Sequence, residues 1–199
     1  MNANQFLKAV GQLQGWREYA YLLALAERAF PNYALFADAV GLKTGAKMRQ
    51  LLDQAWDLLQ TGSRDTAIPQ MLTRLEALSP DVDDYDAYGV YPAFDVCQLV
   101  EQALLNRLNP SRHRATDATL LATGTVMQFI EVSEGEGLEE DGLVRLLEQH
   151  PLMKEDKQFQ RTLVLELKRQ RTPVQAFVDE LKALAANEGV SNLGISLEG

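Results

Sequence analysis

The sequence predicts an all-α fold, a single-domain bundle of about eight or nine helices over residues 1–199, arranged around one buried central helix. Apolar residues recur at helical spacing in nearly every segment, whereas the two-residue alternation of a strand is confined to the end of the chain. No internal repeat and no linker rich in Pro, Gly or Ser divides the chain. Hydrophobic residues make up 46% of the sequence, which is enough for one sizeable core.

The predicted central helix covers residues 16–30. Its side chains are apolar on every side, and a helix of that kind is buried. A short helix over residues 4–14 precedes it. Pro31 is expected to end the central helix, because proline lacks the backbone N–H that a helix needs and disfavours a helical residue before it. Residues 32–36 would then form a separate helical piece.

The remaining helices are predicted from one apolar stripe each and from their end signals, which are capping residues, prolines and glycines. Four of them are expected to begin near Thr44, near Asp65 or Thr66, near Pro92 and near Ser111. Three more follow: a short helix that ends at His150, a long helix over residues 152–171, and a last helix that begins with the capping box Thr172–Gln175. Residues 131–142 are acidic and glycine-rich and predict a solvated loop. The tail with Leu193, Ile195 and Leu197 is expected to be extended.

Charge restricts the partners that this protein can bind. The 199 residues carry a net charge of −9, and the acidity is spread over both halves of the chain. Nucleic acid and anionic membranes would repel such a surface unless a local basic patch formed. The two basic clusters are Arg112–Arg114 and Lys168–Arg171, and the second is explained by the negative end of a helix. We therefore expect neither nucleic acid nor a membrane as a partner.

Cys97 is the only cysteine, so the chain has no internal disulfide. The N-terminus has no basic segment followed by an apolar run, and the longest uncharged apolar run, Tyr19–Ala26, is too short for a membrane span of about 20 residues. These features predict a cytoplasmic protein. Cys97 lies on an apolar helical stripe, where a buried and unreactive thiol is expected.

The segment Asp81–Cys97 contains the spacing of a calcium-binding loop, with Asp84, Asp86, Tyr88 and Asp95 at the ligand positions and a glycine at the turn. Tyr88 supplies no carboxylate there, and Asp95 is shorter than the glutamate that normally closes such a site. Helix capping by the acids and packing by the tyrosines explain the segment better. We therefore predict no metal site.

No catalytic or cofactor-binding pattern stands out. His113 and His150 lie at helix boundaries, and the chain contains neither a nucleophile elbow nor a Glu-x-x-His pair. A phosphate-binding loop and a dinucleotide glycine fingerprint are absent as well. The sequence predicts no catalytic residue and no cofactor, and it favours a non-enzymatic protein.

Three segments together carry a resemblance to a known family. They are Glu27–Tyr33, with the sequence ERAFPNY, Asp84–Cys97, with DYDAYGVYPAFDVC, and Ser191–Ile195, with SNLGI. In this order and at these distances they resemble the YjaG-like bacterial family, a domain of unknown function. The resemblance spans nearly the whole chain and implies an all-α fold, but no activity. The chain departs from the family mainly at residues 134–142.

The first two of these segments supply the candidate pocket residues, which are Glu27, Arg28, Asp84, Asp86, Tyr88 and Asp95. Arg28 is expected to hold the Asp84–Asp86 loop through a bidentate contact. The leading hypothesis is a non-enzymatic module that binds a protein partner or forms a homo-oligomer. The alternative is a small-ligand-binding protein or enzyme that uses the Glu27/Arg28 and Asp84–Asp95 region, and it requires a pocket lined by Arg28, Tyr88 and Asp95.

Overall fold

The computed structural model describes residues 2–61, 65–111 and 113–197. Within these ranges the chain forms nine α-helices and three 3₁₀ turns, and its β-structure is limited to one isolated bridge between Val190 and Ser196. The predicted all-α bundle is therefore confirmed. The helices are α1 (Ala3–Val10), α2 (Trp16–Ala39), α3 (Gly45–Thr61), α4 (Ile68–Glu76), α5 (Val90–Leu108), α6 (Arg114–Glu134), α7 (Glu140–Gln149), α8 (Pro151–Arg169) and α9 (Gln175–Ala186). In these described ranges, no helix is both long and apolar enough to cross a membrane.

Helix α2 is the centre of the bundle, as its apolar pattern predicted. It packs against α3, α5, α6, α8 and α9. Every residue from Glu18 to Tyr33 is buried, including three that carry charges, Glu18, Glu27 and Arg28. A helix enclosed in this way must place its polar side chains next to internal partners, because burial without a partner costs free energy.

The predicted break at Pro31 is wrong, since α2 continues through it to Ala39. Proline removes the hydrogen bond that its N–H would have made with the carbonyl four residues earlier. Packing outweighs this loss, because Tyr33 and Phe36, which follow the proline, are both buried in the main core. The Tyr33 hydroxyl also donates a hydrogen bond to the Leu78 carbonyl at 2.7 Å. A helix broken at Pro31 would withdraw these aromatic side chains from the core.

A network of charges joins α2 to α3 and α9. Arg49 donates from both terminal nitrogens to the Glu27 carboxylate, at 2.6 and 2.8 Å, and the Trp56 indole N–H donates to the same carboxylate at 2.9 Å. Arg49 also pairs with Asp53 at 3.0 Å, and Lys182 on α9 reaches Asp53 at 2.7 Å. Glu27 is thus a structural residue, with three hydrogen bonds to its carboxylate.

The described residues form two apolar clusters inside the bundle. The main cluster surrounds α2, and a smaller one holds Val126, Ile130, Met153 and Leu193 between the end of α6, the start of α8 and the C-terminal tail. Helix α7 covers the smaller cluster through Leu146 and Leu147. The acidic loop between α6 and α7 is shorter than predicted, because α6 continues to Glu134.

The tail forms a turn and is not the extended segment that its alternating pattern predicted. The Ser191 hydroxyl accepts hydrogen bonds from the backbone N–H groups of Leu193, at 3.1 Å, and Ile195, at 3.3 Å. Gly194 adopts a positive φ of 71°, which other residues rarely tolerate. The turn directs Leu193 into the smaller cluster, where it is buried.

Glu27→Gln is expected to lower the free energy of unfolding by about 3 kcal/mol, because it leaves the Arg49 cation without its buried counter-charge. Urea denaturation followed by circular dichroism measures this change. The matched control is Glu166→Gln, since Glu166 and its partner Arg169 are both well exposed and their pair contributes about 0.5 kcal/mol or less. Equal effects of the two substitutions would contradict a structural role for Glu27.

Candidate functional site

The six sequence-predicted site residues do not meet at one place. Glu27 points to α3, where Arg49 and Trp56 enclose it. Asp84 and Asp86 are exposed in the connection that leads to α5. In this connection the Asp81 side chain accepts a hydrogen bond from the backbone N–H of Asp83 at 3.1 Å, which fits the predicted capping role of the acids.

Arg28 contacts α8, so the prediction that it holds the Asp84–Asp86 loop is wrong. Its guanidinium lies 4.2 Å from the centre of the Phe159 ring and 3.5 Å from the Glu155 carboxylate. Adjacent helical residues point about 100° apart, so Glu27 and Arg28 face different neighbours. Burial lowers the pKa of Arg28, while Glu155 and Asp156 oppose that shift. A small cavity of about 10 Å³ adjoins Arg28, Glu155, Asp156 and Phe159.

Asp95 and Tyr88 lie near each other at the start of α5. Asp95 accepts a hydrogen bond from the Thr125 hydroxyl at 2.7 Å. Burial raises the pKa of Asp95 and outweighs the opposing effect of that hydrogen bond. Burial also raises the pKa of Tyr88, and the nearby carboxylates of Asp95 and Glu131 raise it further.

An apolar groove with a volume of about 340 Å³ opens beside Tyr88. It lies on the seam between the two apolar clusters, since Phe36 belongs to the main cluster and Leu193 to the smaller one. The Tyr88 ring is 6.4 Å from the ring of Phe129, which also lines the groove. The Tyr88 ring is also 6.0 Å from that of Tyr91, which is 51% exposed, so the aromatic contacts of Tyr88 extend from the groove to the surface.

All three segments that carry the family resemblance contribute to this groove. Asn32 comes from the first segment, Tyr88 and Pro92 from the second, and Leu193 and Ile195 from the third. Of the six candidate pocket residues predicted from the sequence, Tyr88 lines this groove. Asn32 and the tail residues were not among the candidates, because an amide or aliphatic side chain gives no sign of a site until the fold brings these distant segments together.

The surroundings of the groove are acidic. The lining residues fall within 32–40, 87–92, 129 and 193–195. These ranges contain Asp38 and no Lys, Arg or His, and the carboxylates of Asp95 and Glu131 are close enough to Tyr88 to raise its pKa. The groove therefore combines an apolar lining with a negative rim, by which we mean the carboxylates of Asp38, Asp95 and Glu131.

Other reactive side chains lie away from the groove. Cys97 lines a separate cleft of about 490 Å³ between α4 and α5, and burial raises the pKa of its thiol to about 12, which keeps it protonated and weakly nucleophilic. His150 pairs with Glu134 at 3.2 Å and caps α8 by accepting a hydrogen bond from Leu152. Among the described residues, no three His, Cys, Asp or Glu side chains are grouped so that they could hold a metal ion. Arg112, which belongs to the basic cluster Arg112–Arg114 of the sequence, lies outside the described residues.

Asp95→Asn is expected to stabilise the protein increasingly as pH rises. Because the folded-state pKa of Asp95 is raised, the folded protein retains this proton at a pH where the unfolded chain has released it. Its contribution to stability is therefore full below the ordinary Asp pKa and is lost as pH rises through the folded-state pKa. Asparagine keeps an oxygen for Thr125 and carries no charge.

The free energy of unfolding of Asp95→Asn and of wild type, measured in urea at about pH 4 and about pH 7, tests this expectation. The difference between the two proteins should favour the variant more at the higher pH. Asp179→Asn, at an exposed position on α9, is the control and should show no such trend. A pH-independent difference for Asp95→Asn would contradict the raised pKa.

Comparisons with known proteins place the chain in a family. A family model described as a protein of unknown function, DUF416, matches residues 5–196. An uncharacterized protein of Haemophilus influenzae is 30% identical over 197 residues, covering 96% of this chain and 97% of the relative. The uncharacterized protein YjaG of Escherichia coli is 26% identical over 185 residues, covering 92% of each. The crystal structure of a DUF416 family protein from Shewanella baltica is similar with a TM-score of 0.88 at 28% identity, covering 96% of this chain and 98% of that one. The predicted YjaG-like resemblance is confirmed, and the chain belongs to the DUF416 family.

Proposed function

We propose that this protein is a non-enzymatic interaction module that holds an apolar segment of a partner protein in its groove, and that the residues flanking this segment in the partner are basic. One observation carries the proposal: the three family segments converge on an open apolar groove that is flanked by the carboxylates of Asp38, Asp95 and Glu131. The proposal extends the interaction hypothesis drawn from the sequence, because it assigns the interaction to a defined surface of the protein.

The size and lining of the groove fit one or two apolar side chains. Its volume of about 340 Å³ falls within the range of about 300–1,000 Å³ that is usual for ligand sites. Such sites combine apolar walls with a few polar residues, which here are Tyr88 and Asn32. The half-exposed Tyr91 beside Tyr88 offers a further aromatic surface, and tyrosine is a frequent source of binding energy at interfaces.

Charge favours a different protein over a second copy of this chain as the partner. Each copy carries a net charge of −9, so two copies repel each other over long range. The carboxylates of the rim would repel those of a second copy if the two grooves met face to face. Lysine or arginine flanking an apolar segment would instead complement the rim and speed association.

The alternative function, a small-ligand site or an enzyme, needs Arg28, Tyr88 and Asp95 around one pocket. Tyr88 lines the groove, whereas Arg28 adjoins the separate small cavity beside α8. The Asp95 carboxylate bonds to Thr125. This separation supports the interaction hypothesis over the alternative.

We still expect a cytoplasmic protein, because of the single cysteine and the N-terminal sequence described above.

The test is fluorescence polarisation with labelled peptide pools in which a short apolar core of randomised Leu, Ile, Phe, Met and Val is flanked on both sides by lysines. The lysine pool is expected to bind, with an affinity that falls as salt screens the rim. A pool of identical core composition flanked by glutamates is expected to bind at least about tenfold more weakly, because the rim repels it.

Ala39→Trp is expected to weaken binding of the lysine pool by about tenfold or more, because an indole placed at this exposed edge fills the space that an apolar side chain needs. Ala183→Trp, at an exposed position on α9, is the matched control and should bind like wild type. Equal binding of the lysine and glutamate pools, or equal binding by the two tryptophan variants, would overturn the proposal.

A further inference from the structure

The solvent-facing side of α8 carries a basic surface that the proposed function does not use. Successive residues of a helix are turned by about 100°, so residues three, four and seven positions apart lie on the same side. On this side of α8 the cations are separated along the sequence and form a cluster only on the helix. We call this surface the α8 face; its residues are Lys154, Lys157, Gln158, Arg161, Leu165 and Lys168, all of them exposed except the half-buried Arg161.

The α8 face is positive, although the chain as a whole has a net charge of −9. Its charged residues are all lysine or arginine. Among the described residues, no carboxylate lies within ion-pair distance of Lys154, Lys157 or Lys168. Burial raises the pKa of Asp156, and Lys157 is the weakest of the four groups that oppose this shift, so that carboxylate does not neutralise the lysine. The face therefore keeps its positive charge.

The stability of α8 does not account for these cations. Lys154 and Lys157 lie in the first two turns, where the positive end of the helix dipole disfavours a cation, and the first turn contains no acidic residue. Lys154 and Lys157 are three positions apart, and Lys157 and Arg161 are four apart, so each pair places like charges side by side and destabilises the helix. Only Lys168, near the other end, is favoured by the dipole.

The α8 face is also narrow. It runs for about 21 Å from Lys154 to Lys168, at about 1.5 Å per residue. The carboxylates of Glu155 and Glu166 border it, each turned by about 100° from a neighbouring residue of the face. A DNA duplex or an anionic membrane presents phosphates over a wider area, so some of them would meet these carboxylates. A single helix, which is about 10 Å across, fits the width of the face.

We propose that the α8 face binds an acidic helix of a partner protein, which lies along α8 with its carboxylates on one side. Lys154, Arg161 and Lys168 are seven positions apart, and Gln158 and Leu165 lie between them. This is the spacing of contact residues when two helices pack side by side. Leu165 is 51% exposed and offers such a helix an apolar contact. The surface is separate from the groove, so this inference does not rest on the proposed function.

The experiment is fluorescence polarisation with two labelled helical peptides of the same composition, rich in alanine and glutamine, with several glutamates and one leucine. In the first peptide the glutamates recur every three or four residues and share one side of the helix; in the second they are spread evenly around it. The first is expected to bind wild-type protein at least about tenfold more tightly than the second, because only its charges all face α8. Salt should weaken this binding.

The double variant Lys154→Gln/Lys157→Gln is expected to weaken binding of the first peptide by about fivefold or more. It should fold as well as wild type, because it removes cations that the helix dipole disfavours. The control is Lys43→Gln/Lys47→Gln, which changes the net charge equally at exposed positions near the start of α3 and should bind like wild type. Ala39→Trp, in the groove, should also bind the first peptide like wild type.

The inference would be wrong if wild type bound the two peptides equally, or if the two lysine variants weakened binding to the same extent. Binding of neither peptide would also overturn it and would leave the groove proposal intact, since the lysine-flanked pools test that separately.

Other occupants of the α8 face give their own results. If a mixed-sequence DNA duplex or phosphatidylglycerol vesicles bound more tightly than the first peptide, and Lys154→Gln/Lys157→Gln weakened that binding, the assignment to a partner helix would be overturned. Analytical ultracentrifugation tests for a second copy of the chain. Dimers of wild type that this double variant disrupts would place another copy on the α8 face and would overturn the assignment to a different protein.

Discussion

Helix α2 is enclosed on every side, and this enclosure governs the roles of its two charged neighbours, Glu27 and Arg28. A charge in such a position destabilises the fold unless internal groups replace the water it has lost. Glu27 receives three hydrogen bonds from α3 and is fully engaged. Arg28, one residue later, pairs with the Glu155 carboxylate at 3.5 Å and packs against the Phe159 ring. The same constraint therefore gives the two neighbouring charges different partners, with Glu27 held by α3 and Arg28 by α8.

The fold was largely predictable because helical periodicity and burial are local properties of the sequence. The all-round apolar pattern of residues 16–30 identified the central helix, but the effect of Pro31 was misjudged. Proline usually ends a helix because it removes one backbone hydrogen bond. Here the burial of Tyr33 and Phe36, which follow Pro31, contributes more to stability than that hydrogen bond would. The tail was misjudged for a similar reason, since its turn depends on the Ser191 hydroxyl and on Gly194, and not on the alternation of apolar residues.

The candidate site was less predictable because its contacts join residues far apart in sequence. Tyr88 was identified from its own segment, and it does line the groove. The partner of Arg28 could not be inferred, since Glu155 is 127 positions away and only the packing of α8 on α2 brings the two together. The groove itself lies where two apolar clusters meet. Its lining residues are of the same types as those in a filled core, so the sequence does not distinguish a groove from a core at these positions.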